Sequence, residues 1–166
     1  MIVSAPNVSD QRPATRGARV FPIPPPAYYG VAFGAGMILQ SSVPLDIPGR
    51  PATAFVGAAV LIAGLTLNFA GVAAVITHRT TIVPHRSVST LITNGVYRIS
   101  RNPMYAGLAT AVAGGAGVAG TWWPIVFLPL AVLAVRWLAI EAEETYLTEK
   151  FGSTYTDYQR EVRRWL

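Results

Sequence analysis

Residues 52–76, ATAFVGAAVLIAGLTLNFAGVAAVI, carry no charge and one strongly polar side chain, Asn68. A helix of about 20 such residues crosses the hydrocarbon core of a bilayer. Three shorter apolar runs flank it. Residues 27–43 are rich in small side chains and end in Gln40-Ser41-Ser42, and a Pro44–Pro51 turn separates them from residue 52. Residues 103–120 form a thin, glycine-rich run, and residues 125–140 return from it through Thr121-Trp122-Trp123-Pro124. Two tryptophans at such a turn suit the membrane–water interface. The expected fold class is therefore an all-α integral membrane protein with about four transmembrane helices, the last two a hairpin, plus a C-terminal amphipathic cytoplasmic helix. A flexible Pro-rich arm, residues 1–26, precedes a single membrane domain, residues 27–166, with a loop at 77–102 and a tail at 141–166.

Composition supports this reading. The 166 residues are 52% hydrophobic and 13% charged, whereas soluble domains carry roughly 25% charged residues. No Asp or Glu lies between Asp46 and Glu141, and six of the eight acids fall in the last 26 residues. The absence of Cys excludes disulfides, thiolate nucleophiles and Cys-based zinc sites. Only His78 and His85 are present, so no metal is expected. The net charge of +5 comes from 12 Arg and one Lys, spread singly and without a basic stripe, which argues against nucleic acid as a partner. The preference for Arg, Ala and Gly suggests a GC-rich bacterial genome.

The charges also orient the chain. Arg12, Arg16 and Arg19 precede the first run; Arg79, Arg86, Arg98 and Arg101 follow the second; Lys150, Arg160, Arg163 and Arg164 follow the fourth. With four spans all eleven fall on one side, and only Arg50 lies opposite. The positive-inside rule makes that side cytoplasmic. The expectation is a multi-pass cell-membrane protein with both termini inside.

In the tail, Leu147, Phe151, Tyr155, Tyr158, Val162 and Trp165 recur at helical spacing as one stripe. Gly152 is expected to end one helix and Ser153 or Thr154 to cap the next. Core packing is the simplest use of the stripe. Gly107, Gly114, Gly115 and Gly117 are read as close-packing positions between helices in lipid.

The chemistry must come from residues 77–102 and the tail, because the spans offer almost no functional groups. Residues 91–108 read LITNGVYRISRNPMYAGL. Pro103 suits the first turn of a helix and Asn102 its cap, so Arg101 and Asn102 sit at a helix N-terminus where an anion is favoured. Glu141, Glu143 and Glu144 fall at the far end of the returning helix, where the macrodipole disfavours negative charge unless a cation is near. The hairpin brings both ends to one opening. A ligand with a carboxylate, an ammonium and a second cation would use both halves, and S-adenosylmethionine is such a molecule.

GVYRISRNPMY, followed about 30 residues later by EAEETYLTEKFGSTYTDYQREVRRW, resembles the isoprenylcysteine carboxyl methyltransferase and phospholipid methyltransferase superfamily. Its signature is Gly-x-Tyr-x-x-x-Arg-His-Pro-x-Tyr, then Glu-Glu, then Phe-Gly-x-x-Tyr, and the resemblance covers roughly residues 60–166. It implies an integral membrane methyltransferase that binds S-adenosylmethionine at the cytoplasmic face and releases S-adenosylhomocysteine. Carried over by position, Gly95, Tyr97, Arg101, Asn102, Pro103, Tyr105, Glu143 and Glu144 form the cofactor site, with His85 and Leu91 shaping an adenine pocket. Arg101 and Asn102 stand at the catalytic positions. Asn102 replaces the family's His and cannot titrate near neutrality, so it transfers no proton.

On this reading Glu143 or Glu144 holds the cofactor's ammonium, while Arg101 holds its carboxylate or orders the Glu pair. A lipophilic acceptor enters sideways from the bilayer to meet Asn68 and Arg136. Isoprenoid carboxylates, phospholipid amines, thiols and small hydrophobic metabolites all remain open as acceptors. The alternatives are an NADPH-dependent enzyme like the sterol reductases, which share an Arg-His-Pro-like element, and a non-catalytic scaffold that docks through its tail. A small multidrug-type transporter would need an acid within the membrane, and none lies between Asp46 and Glu141.

Overall fold

The computed structural model describes the backbone of residues 2–4, together with residues 23–78 and 90–166. Four long helices form its body: α1 (Pro25–Ser42), α2 (Ala52–Thr77), α3 (Pro103–Ala119) and α4 (Trp123–Val135). α2 packs on α3, α3 on α4, and α1 on both α4 and α3. The tail adds α5 (Glu141–Phe151) and α6 (Ser153–Glu161).

Two helices are long and apolar enough to cross a membrane, Ala52–Thr77 and Trp123–Phe151. α1 and α3, at 18 and 17 residues, do not meet that measure. The outward faces are nonetheless apolar. Val31 and Ile38 on α1, Phe55, Ile62 and Phe69 on α2, and Leu130 on α4 are all exposed. Apolar surface this extensive is unusual on a soluble monomer and suits a lipid environment.

The close approach of α2 to α3 rests on absent side chains. The residues that α2 buries are Gly57, Gly64, Gly71 and Val75, so its glycines recur every seven residues. A Cβ on Gly64 would meet Ala111 N at 2.5 Å, and one on Gly107 would meet Asn68 N at the same distance. A Cβ on Gly114 would overlap Leu61 N. Backbone therefore lies on backbone, as small residues allow in lipid-embedded helix pairs. Gly115 faces the Phe33 ring of α1 instead.

At the end remote from the tail, polar side chains join the two interhelical turns. Gln40 accepts from the buried Thr121 hydroxyl at 2.7 Å and donates to Asp46 Oδ1 at 2.6 Å. Trp123 Nε1 donates to Val43 O at 2.7 Å.

Four sequence expectations are corrected. The helix of the fourth apolar run does not end at residue 140: α4 continues through a π turn, Arg136–Ile140, directly into α5, so one helix runs from Trp123 to Phe151. Glu141, Glu143 and Glu144 thus lie within a helix and not at its C-terminus, and the macrodipole argument for a nearby cation does not apply to them. Ser153 is the first residue of α6 and no side chain caps it; Gly152, at φ 54, supplies the break. Left-handed φ of this kind favours glycine. Finally, residues 1–26 are not all a free arm, since β1 (Ile2–Ser4) pairs antiparallel with β2 (Thr90–Ile92).

The aromatic stripe of the tail packs inward. Phe151, Tyr155 and Tyr158 are buried with Leu91, and Leu147 and Val162 pack around them. Trp165 packs instead on the main core, which includes Tyr29, Tyr105, Val135 and Ile140.

Candidate functional site

The site is built where the N-terminus of α3 meets α5 and the last residues of the chain. A short 3-10 turn, Gly95–Arg98, enters it, with Gly95 at φ 58. Ser100 is fully buried, and its hydroxyl accepts from the Asn102 N–H at 3.0 Å. Pro103 opens α3 from a buried position with no N–H to satisfy.

Residues 163–165 lie across this turn. Arg101 N–H donates to Arg163 O at 2.9 Å. The Ser100 hydroxyl and Asn102 Nδ2 each donate to Arg164 O at 3.2 Å. Asn102 occupies the cap position of α3, but its side chain makes no capping bond. The anion expected at this helix end is met in part by the chain's own carbonyl groups.

The π turn explains how the acids enter the site. One extra residue in the turn re-aims the side chains that follow, a device common near functional sites. Glu143 points inward to Tyr105, whose hydroxyl donates to Glu143 Oε1 at 3.2 Å. Glu144 is held by two arginines. Arg164 donates through Nε at 3.0 Å and through Nη2 at 2.6 Å, a bidentate pair, and Arg101 Nη1 lies 3.0 Å from Glu144 Oε1. Arg101 Nε is buried and finds no hydrogen-bond partner among the described residues.

The two neighbouring carboxylates therefore differ. Glu144 has two guanidinium partners, whereas Glu143 has a neutral hydroxyl. The apolar part of the helix ends at Ile140, and Glu143 lies beyond it. Burial pushes its carboxyl up to about 7; the Tyr105 hydroxyl works against that rise and the Glu144 charge adds to it. The Tyr97 hydroxyl is pushed up to about 12, first by burial and then by Glu143. A carboxylate largely removed from water and without a counter-charge is costly, and a nearby cation would offset that cost.

A family model described as phospholipid methyltransferase matches residues 52–154, from the start of α2 into α6. The chain belongs to the phospholipid methyltransferase family.

Among relatives of this phospholipid methyltransferase family member is a Dictyostelium discoideum protein named protein-S-isoprenylcysteine O-methyltransferase. It is 31% identical over 84 residues, which cover 43% of this chain and 30% of that protein. An uncharacterized protein of Haemophilus influenzae is 49% identical over 35 residues, covering 21% of this chain and 56% of its own length. The chain thus spans less than two thirds of either relative. No solved structure matches.

The remaining expected residues of this family member are dispersed. His85 lies outside the described residues. Leu91 is buried beneath α6. Asn68 Nδ2 donates to Met104 O at 2.9 Å and so ties α2 to α3. Arg136 pairs with Glu141 at 3.4 Å and lines a cleft of about 470 Å³ with Glu144, Glu149, Gln159 and Arg164. Asn68 does not line that cleft. In the sequence Arg164 stands out only as a topogenic charge and Tyr158 only as part of the tail stripe, whereas the Tyr158 hydroxyl donates to Tyr97 O at 2.6 Å. A Glu pair in want of a cation was the available signal for Arg164, but nothing local names the partner.

Proposed function

We propose that this chain transfers a methyl group from S-adenosylmethionine to a lipophilic acceptor at the cytoplasmic face of the cell membrane. In this reading α1 to α4 are four spans of one membrane domain and both termini lie inside. The exposed apolar faces support it, as does the position of Arg98, Arg101, Lys150, Arg160, Arg163 and Arg164 beyond one end of the helices, with Arg50 beyond the other.

The observation that carries the proposal is the inequality of the two acids. Glu143 is half-buried beside Tyr97 and Tyr105 without a cation, one residue from a Glu144 that already has two. Glu143 would accept the cofactor's ammonium, and the unsatisfied Arg101 Nε suits a carboxylate oxygen. Gly95, Tyr97, Asn102, Pro103 and Tyr105 would form the wall around them, with His85 and Leu91 toward the adenine. The cofactor supplies an electrophilic methyl on a sulfonium. The protein's contribution is alignment and exclusion of water, to which the buried tyrosines contribute their rings. Asn102 has no titratable group, so no proton moves through it. Arg136, half-exposed beside Trp137 at the end of the apolar helix, suits the polar end of the acceptor.

The test is calorimetric titration of the detergent-solubilised protein with S-adenosylhomocysteine, with NADPH in parallel. Saturable binding of the first, abolished in Glu143→Gln, is expected. Binding of NADPH alone would favour a reductase. Silence from both in a folded sample would leave a scaffold.

A further inference from the structure

We propose that Arg163–Trp165 form a positioning strap, in which Asn102 fixes the Arg164 backbone so that the Arg164 guanidinium occupies Glu144 and leaves Glu143 as the carboxylate for a cationic ligand. The part concerning ligand binding rests on the methyl-transfer reading. The strap lies beyond the residues that the family model matches.

Three separate contacts hold the strap to the motif: Arg101 N–H to Arg163 O, and the Ser100 hydroxyl and Asn102 Nδ2 to Arg164 O. Trp165 fastens its far side to the core that contains Tyr105, the partner of Glu143. Between these anchors the Arg164 side chain reaches Glu144 in two-pronged geometry, which fixes orientation as well as charge. Asn102 is thus a positioning residue, since its amide is spent on the strap, and Arg164 acts on Glu143 through Glu144. Two adjacent acids in one buried site repel each other. Pairing Glu144 twice reduces the repulsion that an ionised Glu143 meets.

Among the described residues, the charged and titratable groups around the pair come from every packed element. Tyr97 lies in the 3-10 turn, Arg101 before α3 and Tyr105 within it. Arg136 opens the π turn and Glu141 follows it, Tyr155 is on α6 and Arg164 on the strap. Removal of Arg164 takes one positive charge from this set, so Glu143 keeps its proton to higher pH.

The experiment follows two readouts on the full chain in detergent. In ligand-free protein, the infrared carbonyl band of the protonated Glu143 carboxyl is identified by its loss in Glu143→Gln and titrated with pH. In parallel, S-adenosylhomocysteine affinity is measured across the same range. Arg164→Gln should move both midpoints upward and lower affinity about ten-fold at neutral pH; Arg164→Lys should restore the midpoints. Asn102→Ala, which keeps the guanidinium but loosens the strap, should shift them in the same direction and covers the case in which Arg164→Gln does not fold. Arg160→Gln, on the exposed face of α6, should change neither. Wild-type midpoints in both Arg164→Gln and Asn102→Ala would overturn the strap. A band shift as expected, with no ligand binding by the wild type, would instead support the coupling and overturn the methyl-transfer reading.

Discussion

The Tyr105 hydroxyl, in the first turn of α3, donates to Glu143 Oε1 at 3.2 Å and joins two halves of a motif that are 38 residues apart. A hydrogen bond to a charged group contributes about 1.5–3 kcal/mol. Tyr105→Phe keeps the ring and removes the bond, so Glu143 should retain its proton to higher pH and S-adenosylhomocysteine should bind several-fold more weakly near neutrality. Calorimetry on both proteins checks this.

Glu143 also predicts how stability varies with pH. Its carboxyl titrates near 7 in the folded protein, above its ordinary value of 4.5. Between those two values the folded state binds more protons than the unfolded state, so stability falls as pH rises through that window. The loss is complete above the folded value and amounts to about 3 kcal/mol as an order of magnitude. Glu143→Gln should flatten this slope in thermal unfolding and be the more stable protein above neutrality, while failing to bind the ligand.

Two ion pairs made by acids of the same helix should differ sharply in worth. Arg101 and Glu144 are 11% and 12% exposed, whereas Arg136 and Glu141 are 45% and 47% exposed. Glu144→Ala leaves guanidinium groups without their partner in a largely buried site, at a cost of about 3–5 kcal/mol. Glu141→Ala should cost at most about 1 kcal/mol. Denaturation midpoints in a common detergent separate the two cases.

The glycine seam offers a test independent of chemistry. A Cβ on Gly114 overlaps the Leu61 backbone, so Gly114→Ala must push α2 from α3 and should cost about 1–3 kcal/mol. Gly30→Ala, with nothing within 4 Å of the added atom, should be neutral or slightly stabilising. Thermal unfolding of both variants measures the contrast.

Because the chain has no Cys, single cysteines report topology without background. Ser42→Cys, at the exposed end of α1, and Ser153→Cys, at the exposed start of α6, should react with a membrane-impermeant reagent from opposite sides of sealed vesicles. Labelling of both from one side would overturn the four-span arrangement.

Helix positions and the motif were legible because they are local. The apolar run over residues 52–76 became a helix at Ala52–Thr77, and Pro103 marked the start of α3. The tail stripe was legible as core for the same reason, since helical spacing places Phe151, Tyr155 and Tyr158 on one side whatever covers them. The seven-residue glycine spacing in α2 was also in the sequence, but its meaning depends on what faces it.

What the sequence determined, then, is an apolar helical chain with most of its acids gathered in the tail and a family motif in two parts. Only the tertiary structure decided how those parts divide the work. The π turn after Val135 sets the direction of Glu143 and Glu144, and a single extra residue in a helical turn leaves no mark in an apolar stretch. Arg164 lies 20 residues from Glu144 and more than 60 from Ser100 and Asn102, so no spacing rule foretells that its carbonyl and its guanidinium meet both. Electrostatic pairing acts through distance in space, and that distance exists only once the chain has folded.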